Sequence, residues 1–390
     1  MAMSAVYLDN NASTRVDPSV LDAMLPWFTG NWGNASSKHG FGMDAAGAIQ
    51  KARRQVRTMV GAEMDSEIVL TSGGTESDNM AILSALDNRL DRDEIVVTEV
   101  EHPAVLAMCD HLSRTKGVKV VRVGVDSFGR VDLRAFRTAI GPRTAVVCAM
   151  WANNETGNVH PVRVMAEMAH AEGALFFSDA VQAAGRLDID VASTGVDFLS
   201  ISSHKFHGPK GAGALYVKQG LRTHACLHGG RQERGRRAGT ENVPAIVGMG
   251  RAAAIAQGRT YQDAKHQESL RNRLRDGLVA RFPDCKELGD PDHRLSNTLC
   301  VAFEEIEGED LVTLLGREGV HVSSGSACAA GSNQPSHVLR AMKVPFARIR
   351  GAVRFSLSRE SIATEIDTVL EVLPAVVAKL RSAGTLRHVA

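Results

Sequence analysis

Residues 198–211 read Phe198-Leu199-Ser200-Ile201-Ser202-Ser203-His204-Lys205-Phe206-His207-Gly208-Pro209-Lys210-Gly211. Five residues of strand composition run into a lysine flanked by small polar groups, and a Gly-Pro turn closes the stretch. A lysine set just past a buried strand loses hydration, and its amine becomes nucleophilic and fit for a Schiff base with a carbonyl compound. Taken alone, Lys205 reads more plainly as a solvated lysine at a strand end. Its surroundings have to decide.

Upstream, segments 68–71, 95–98, 118–123, 144–150 and 174–178 share that strand composition, and 214–217 follows downstream. Between them, 77–88, 104–114 and 162–172 carry apolar residues at helical spacing. The alternation predicts an α/β fold with a mostly parallel, helix-covered sheet, a class that binds ligands beyond the C-terminal ends of its strands. After Asn242 the pattern turns to long helices through about Phe282. A β-like 297–303, a helical 309–318, a β-like 351–357 and a helical 362–380 then predict a smaller α+β domain. The chain has 390 residues, 44% of them hydrophobic, enough for two domains. We expect a large α/β domain over 16–255, with 1–15 and 256–390 forming the smaller one.

Formal net charge is +1, which argues against a nucleic-acid surface. The six cysteines are scattered, with no Cys-x-x-Cys pair, as expected of reduced thiols in a cytoplasmic protein. Neither a secretory start nor an 18-residue apolar run is present, so export and membrane insertion are not expected.

Several predicted strand ends carry chemistry. Thr71-Ser72-Gly73-Gly74-Thr75-Glu76-Ser77 leaves a strand and opens a helix, a place where backbone N–H groups can seat an anion. Gly40-Phe41-Gly42-Met43-Asp44-Ala45 matches Gly-x-Gly-x-x-Ala but follows no strand, which removes the dinucleotide reading. Asp179 and Gln182 follow one strand, His102 another, and Asn153-Asn154 a third. An aspartate at such an edge can pair with a pyridinium nitrogen, and an imidazole there can stack on a planar ring and move protons. Each also has a plainer reading as a helix cap or turn former. Convergence of Asp179, Gln182 and Lys205 on one crevice favours the chemical one.

His204 and His207 lack the partners of a metal site. The basic, glycine-punctuated run 229–240 reads as a loop that meets phosphate, carboxylate or a partner chain. Cys148 and Cys300 sit in predicted strands and read as packing residues. Cys328 lies in Ser323-Ser324-Gly325-Ser326-Ala327-Cys328-Ala329-Ala330-Gly331-Ser332, whose composition buries little, and is expected to be exposed, reactive and nucleophilic. Arg354, on the following strand, can clamp a carboxylate.

Together these motifs resemble the cysteine desulfurases of the class V aminotransferase superfamily, most closely the nitrogen-fixation type. The resemblance runs in order from Tyr7-Leu8-Asp9-Asn10-Asn11-Ala12 through Gly73-Gly74-Thr75-Glu76-Ser77, Glu101-His102-Pro103, Asn153-Asn154-Glu155-Thr156-Gly157 and Asp179-Ala180-Val181-Gln182. It continues through His204-Lys205, 232–242, 323–328 and Arg354-Phe355-Ser356-Leu357. It implies a fold-type-I homodimer carrying pyridoxal 5′-phosphate as a Schiff base on Lys205, with Asp179 facing the ring nitrogen. Gln182 and Asn154 are then at the ring oxygen, and Gly74, Thr75, Ser202, Ser203 and His204 on the phosphate side. Thr240 reaches the neighbouring subunit's phosphate, His102 stacks on the ring, and Arg354, with Asn154 nearby, holds the substrate carboxylate.

The implied reaction takes L-cysteine to L-alanine, with Lys205 and His102 relaying protons and Cys328 accepting the sulfur as a persulfide. The implied acceptor is an iron–sulfur scaffold protein serving nitrogenase, where Cys328 touches the nascent cluster transiently; no permanent metal is expected. Selenocysteine lyase, an aminotransferase of the same superfamily and a non-catalytic sulfur-carrier subunit are the alternatives. Ser203 stands where the family commonly has glycine, Ser13 where it has threonine, Ala35 where it has proline and Arg231 where it has histidine. Ala329-Ala330-Gly331 follows Cys328 where Thr-Ser is usual.

Overall fold

The structure, a computed structural model, describes residues 5–324 and 335–388, with side chains to 382 in the last helix. After a short β1 (Val6–Tyr7), seven strands build the main sheet: β2 (Ile68–Thr71), β3 (Glu94–Thr98), β4 (Lys119–Val123), β5 (Thr144–Cys148), β6 (Leu175–Asp179), β7 (Phe198–Ser202) and β8 (Gly213–Val217). Their order is β2-β8-β7-β6-β5-β3-β4, parallel throughout except that β8 runs antiparallel to both neighbours.

Near-continuous Val, Ile, Leu and Phe runs suit strands buried on both faces. Successive side chains alternate between two cores. Val96, Val147, Phe176 and Leu199 join the core under the helices Gly40–Val60 and Val243–Gln257. Ile95, Val146, Phe177 and Phe198 join the opposite core, under the helices Gly74–Asp87 and Pro103–Lys116.

The path β3 to β4 steps outward, and the chain then returns to β5 on the other side of β3 and walks on through β6 and β7. The reversal leaves a crevice beyond the C-terminal ends of β3 and β5, the place where such sheets take ligands. The strand predicted over 144–150 stops at Cys148 because the Met150 amide leaves the ladder and donates to Glu101 Oε1 at 2.8 Å. The helix predicted from Ser77 starts a turn earlier, at Gly74.

Further along, β9 (Lys286–Leu288), β10 (Thr298–Ala302), β11 (Val320–His321), β12 (Ser323–Ser324) and β13 (Ala352–Ser356) complete the strands. Four form an antiparallel sheet in the order β12-β13-β10-β9, while β1 pairs in parallel with β11. A separate apolar core gathers Leu8 with Leu274, Leu299, Phe355 and Val369. The start of the chain is thereby tied to its end, across the mouth of the main sheet's crevice. Among the described residues no helix is long and apolar enough to cross a membrane.

Candidate active site

A one-turn 3-10 segment, Ser203–Lys205, follows β7 and turns Lys205 out of the sheet. Lys205 Nζ donates to the carbonyls of Asn11 at 2.6 Å and Ala12 at 2.8 Å, so the N-terminal segment holds the amine in place. Asp179 ends β6, buried, its Oδ1 accepting from Val181 N at 2.8 Å. Burial pushes the Asp179 carboxyl up, while His102 and Lys205 pull it back toward the charged form.

His102 caps the helix Pro103–Lys116, its Nδ1 accepting from Ala104 N at 3.2 Å. An accepting Nδ1 assigns the proton of the neutral ring to Nε2. Burial lowers the His102 pKa, with Asp179 opposing and Lys205 assisting. The capping role weighed against His102 is real, whereas Asp179 caps no helix and accepts only from the turn that follows it. In both, a bond to one atom of the side chain locks its rotamer and leaves the rest to face the cavity.

Gly74, Thr75, His102, Asn154, Asp179, Gln182, Ser202, His204, Lys205 and Arg354 all line one cavity of about 310 Å³. Its anion end is the start of the helix Gly74–Asp87, where Gly73 caps without a side-chain hydrogen bond. Glu76, in that first turn, is occupied by Ser72 and by Arg237 at 2.9 Å. The first amides therefore keep their positive end for a bound anion. A Cβ on Gly74 would lie 2.7 Å from Val181 Cγ2, so only glycine lets the backbone come this close. An anion seat, a buried carboxylate and an amine around one space fit a flat, phosphorylated, cationic ring.

Arg354 enters from β13 and is almost wholly buried. Its Nη1 donates to Asn154 O at 2.8 Å and its Nη2 to Asp9 Oδ1 at 2.7 Å, while Nε is buried without a hydrogen-bond partner among the described residues. Gln182 is also set from two sides, with Nε2 on Asn11 O at 3.0 Å and Oε1 taking a short bond from Arg186.

Two expected residues lie elsewhere. The Ser203 side chain is buried beneath the turn, where a Cβ on Gly208 would meet its Oγ at 1.9 Å. Thr240 is exposed and lines a second cavity with Thr71 and Ser72. Cys328 lies outside the described residues. The basic run is held by ion pairs of both senses: its own Glu233 is buried against Arg53 through two contacts of 2.6 Å, and its Arg237 meets Glu76.

Sequence reasoning assigned no role to Asn11, Asp78, Glu101 or Met150. Asn11 and Asp78 line the cavity, Asp78 accepting from Ser200 Oγ at 2.5 Å. Burial raises Asp78 well above the usual carboxylate range and carries Glu101 to about 8. The one available signal was an acid, Asp78, on the inward face of a helix at a predicted strand-helix turn.

The family model described as Aminotransferase class-V matches residues 6–369. A cysteine desulfurase of Gluconacetobacter diazotrophicus is 54% identical over 379 residues, covering 97% of this chain and 95% of that protein. The cysteine desulfurase NifS of Azotobacter vinelandii is 49% identical over 380 residues, covering 97% and 94%. A solved structure described as a NifS-like protein superposes with a TM-score of 0.90 at 38% identity, over 96% of this chain and 100% of the other. With motif order, sheet topology and cavity in agreement over almost its whole length, the chain belongs to the class-V aminotransferase family, among its cysteine desulfurases.

Proposed function

We propose that this cysteine desulfurase works with pyridoxal 5′-phosphate, the cofactor on which its family depends, seated in the 310 Å³ cavity, and that Cys328 takes the sulfur. The observation that carries this reading is the meeting of Lys205, Asp179, His102 and Arg354 around one space. Lys205 is the amine that would hold the cofactor, Asp179 would serve its ring nitrogen, and Asn154 and Gln182 would serve its ring oxygen. Gly74, Thr75, Ser202 and His204 would take the phosphate, with the Ser203 backbone shaping the turn. When bound, the cofactor supplies an electron sink that stabilises negative charge at the substrate α-carbon.

Arg354 binds the carboxylate of L-cysteine and so fixes which face of the α-carbon meets Lys205. The Lys205 amine would carry protons to and from that carbon, with His102 as the second proton carrier. Cys328 thiolate attacks the substrate sulfur: an S–S bond forms, the substrate C–S bond breaks, and its electron pair stays on the carbon side, which is protonated to the methyl of L-alanine. One cysteine thus yields one alanine and one persulfide, with no outside oxidant. Thr240, exposed here, reaches the phosphate of a second copy in a homodimer. The persulfide passes to an iron–sulfur scaffold protein, and the likeness to a relative named NifS, the nitrogen-fixation type, makes nitrogenase the favoured client. The separate core that joins Leu8 with Leu274, Leu299, Phe355 and Val369 supports the division into 16–255 and 1–15 with 256–390, while Val338, Leu339 and Met342 pack against the larger part.

The test is alanine and persulfide counted together from L-cysteine. Cys328→Ala should still bind cysteine, seen as an absorbance change of the cofactor, yet form no persulfide. Alanine release at the parent rate in Cys328→Ala would overturn the assignment.

A further inference from the structure

The stretch 325–334 is bracketed by two attachments, both to residues that adjoin the cavity. On its N-terminal side, β12 pairs Ser323 with Arg354. On its C-terminal side, Ser336 Oγ donates to Glu155 Oε2 at 2.5 Å and accepts from Leu339 N at 3.1 Å, capping the helix His337–Ala341. The next side chain, His337, places Nε2 2.8 Å from the carbonyl of Glu101. That carbonyl belongs to the peptide that leads into His102.

The acceptors are themselves fixed. Glu155 is buried, its amide donates to Asn153 Oδ1 at 2.9 Å, and it directly follows Asn154, whose carbonyl holds Arg354. Glu101 is fully buried, with Oε1 bound to Thr98 Oγ1 at 2.5 Å and to Met150 N at 2.8 Å. Val338, Leu339 and Met342 pack into the same apolar core as Ala149, Trp151 and Ala152. A helix of five residues has little stability of its own and needs its apolar face and its cap to persist. A buried carboxylate accepting a hydroxyl is also a costly thing to keep, since burial pushes Glu155 up to about 7. The cap itself, Ser336 Oγ on Leu339 N, does not require that carboxylate.

We propose that Glu155 and Ser336, with His337 on the Glu101 carbonyl, form an anchor that fixes the C-terminal root of the Cys328 segment to the cavity wall, making all three positioning residues for sulfur transfer. The inference rests on Cys328 being the sulfur acceptor. Ser336 follows Cys328 by eight positions in the sequence. A slack root enlarges the volume that the thiolate explores and lowers its encounter with substrate sulfur, without touching cofactor or substrate.

The experiment compares Ser336→Ala, Ser336→Thr, His337→Ala and Cys328→Ala in the cofactor-loaded enzyme. Three readouts are taken: the cofactor absorbance change on adding L-cysteine, single-turnover persulfide formation, and the alkylation rate of Cys328 without substrate. Ser336→Ala and His337→Ala should slow persulfide formation by roughly tenfold while cysteine binding and alkylation stay within about twofold, and Ser336→Thr should restore transfer. Parent-rate transfer in both alanine variants overturns the anchor. Equal losses in cofactor content, cysteine binding and transfer also overturn it, since they mark a role in folding alone. Persulfide formation by Cys328→Ala would instead sink the sulfur-acceptor reading, so the two failures are told apart.

Discussion

Arg354→Lys is the sharpest probe of substrate recognition. The guanidinium already spends one proton from each Nη on Asn154 O and Asp9 Oδ1, at 2.8 and 2.7 Å. What it can still offer is Nε, buried without a hydrogen-bond partner among the described residues, and the remaining Nη protons. A substrate carboxylate would satisfy that orphaned donor, which is the reason the proposed function places it there. Lysine keeps the positive charge but loses the planar fork. At about 1.5–3 kcal/mol for a hydrogen bond to a charged group, one lost bond of this kind lowers kcat/KM for L-cysteine by roughly 10- to 150-fold. The carboxylate is bound in ground and transition states alike, so most of the loss should appear in KM. Steady-state alanine production against cysteine concentration measures it, with far-UV circular dichroism and cofactor content as checks on the fold. An Arg354→Lys enzyme that keeps kcat/KM within about twofold of the parent, correctly folded and loaded, would refute the assignment.

Three further outcomes are expected. Gly74→Ala drives a methyl toward Val181 Cγ2, and overpacking of about 1–3 kcal/mol should weaken cofactor retention on dialysis by roughly 5- to 150-fold, with the fold kept. Arg53→Met strands the Glu233 carboxylate, whose Oε2 also accepts from Leu70 N at 3.0 Å, and should cost about 3–5 kcal/mol in denaturant unfolding, most of it recovered in the double variant with Glu233→Leu. His160 is buried, with Nε2 unpartnered among the described residues and burial lowering its pKa to about 4. The unfolded chain takes up that proton near pH 6.5, whereas the folded one resists until about 4. Stability is therefore whole above pH 6.5 and falls by roughly 3 kcal/mol as pH drops through that window. His160→Gln should flatten that part of the unfolding profile, and an unchanged slope would count against the burial argument.

The sequence by itself determined the alternating architecture and the chemical cast. Strand and helix periods are local properties of neighbouring residues, so the seven central strands were legible to within a residue or two. Lys205, Asp179 and His102 were visible because each follows an apolar run whose end is marked by small or turn-forming residues. The tertiary structure alone decided how those residues are held. Asp9 reaches Arg354 across 345 positions, Lys205 rests on the carbonyls of Asn11 and Ala12 across more than 190, and Ser336 finds Glu155 across 181. No local pattern encodes such pairs, because each exists only once segments distant in the chain have packed together.

The same holds for Ser203 and Asp78. The 3-10 turn after β7 sends the Ser203 side chain into its own floor, and a helix face puts an acid against the cavity. Lys205 is thus placed by its own strand and aimed by a segment from the other end of the chain: backbone carbonyls from the N-terminus set its amine, and only folding brings them there.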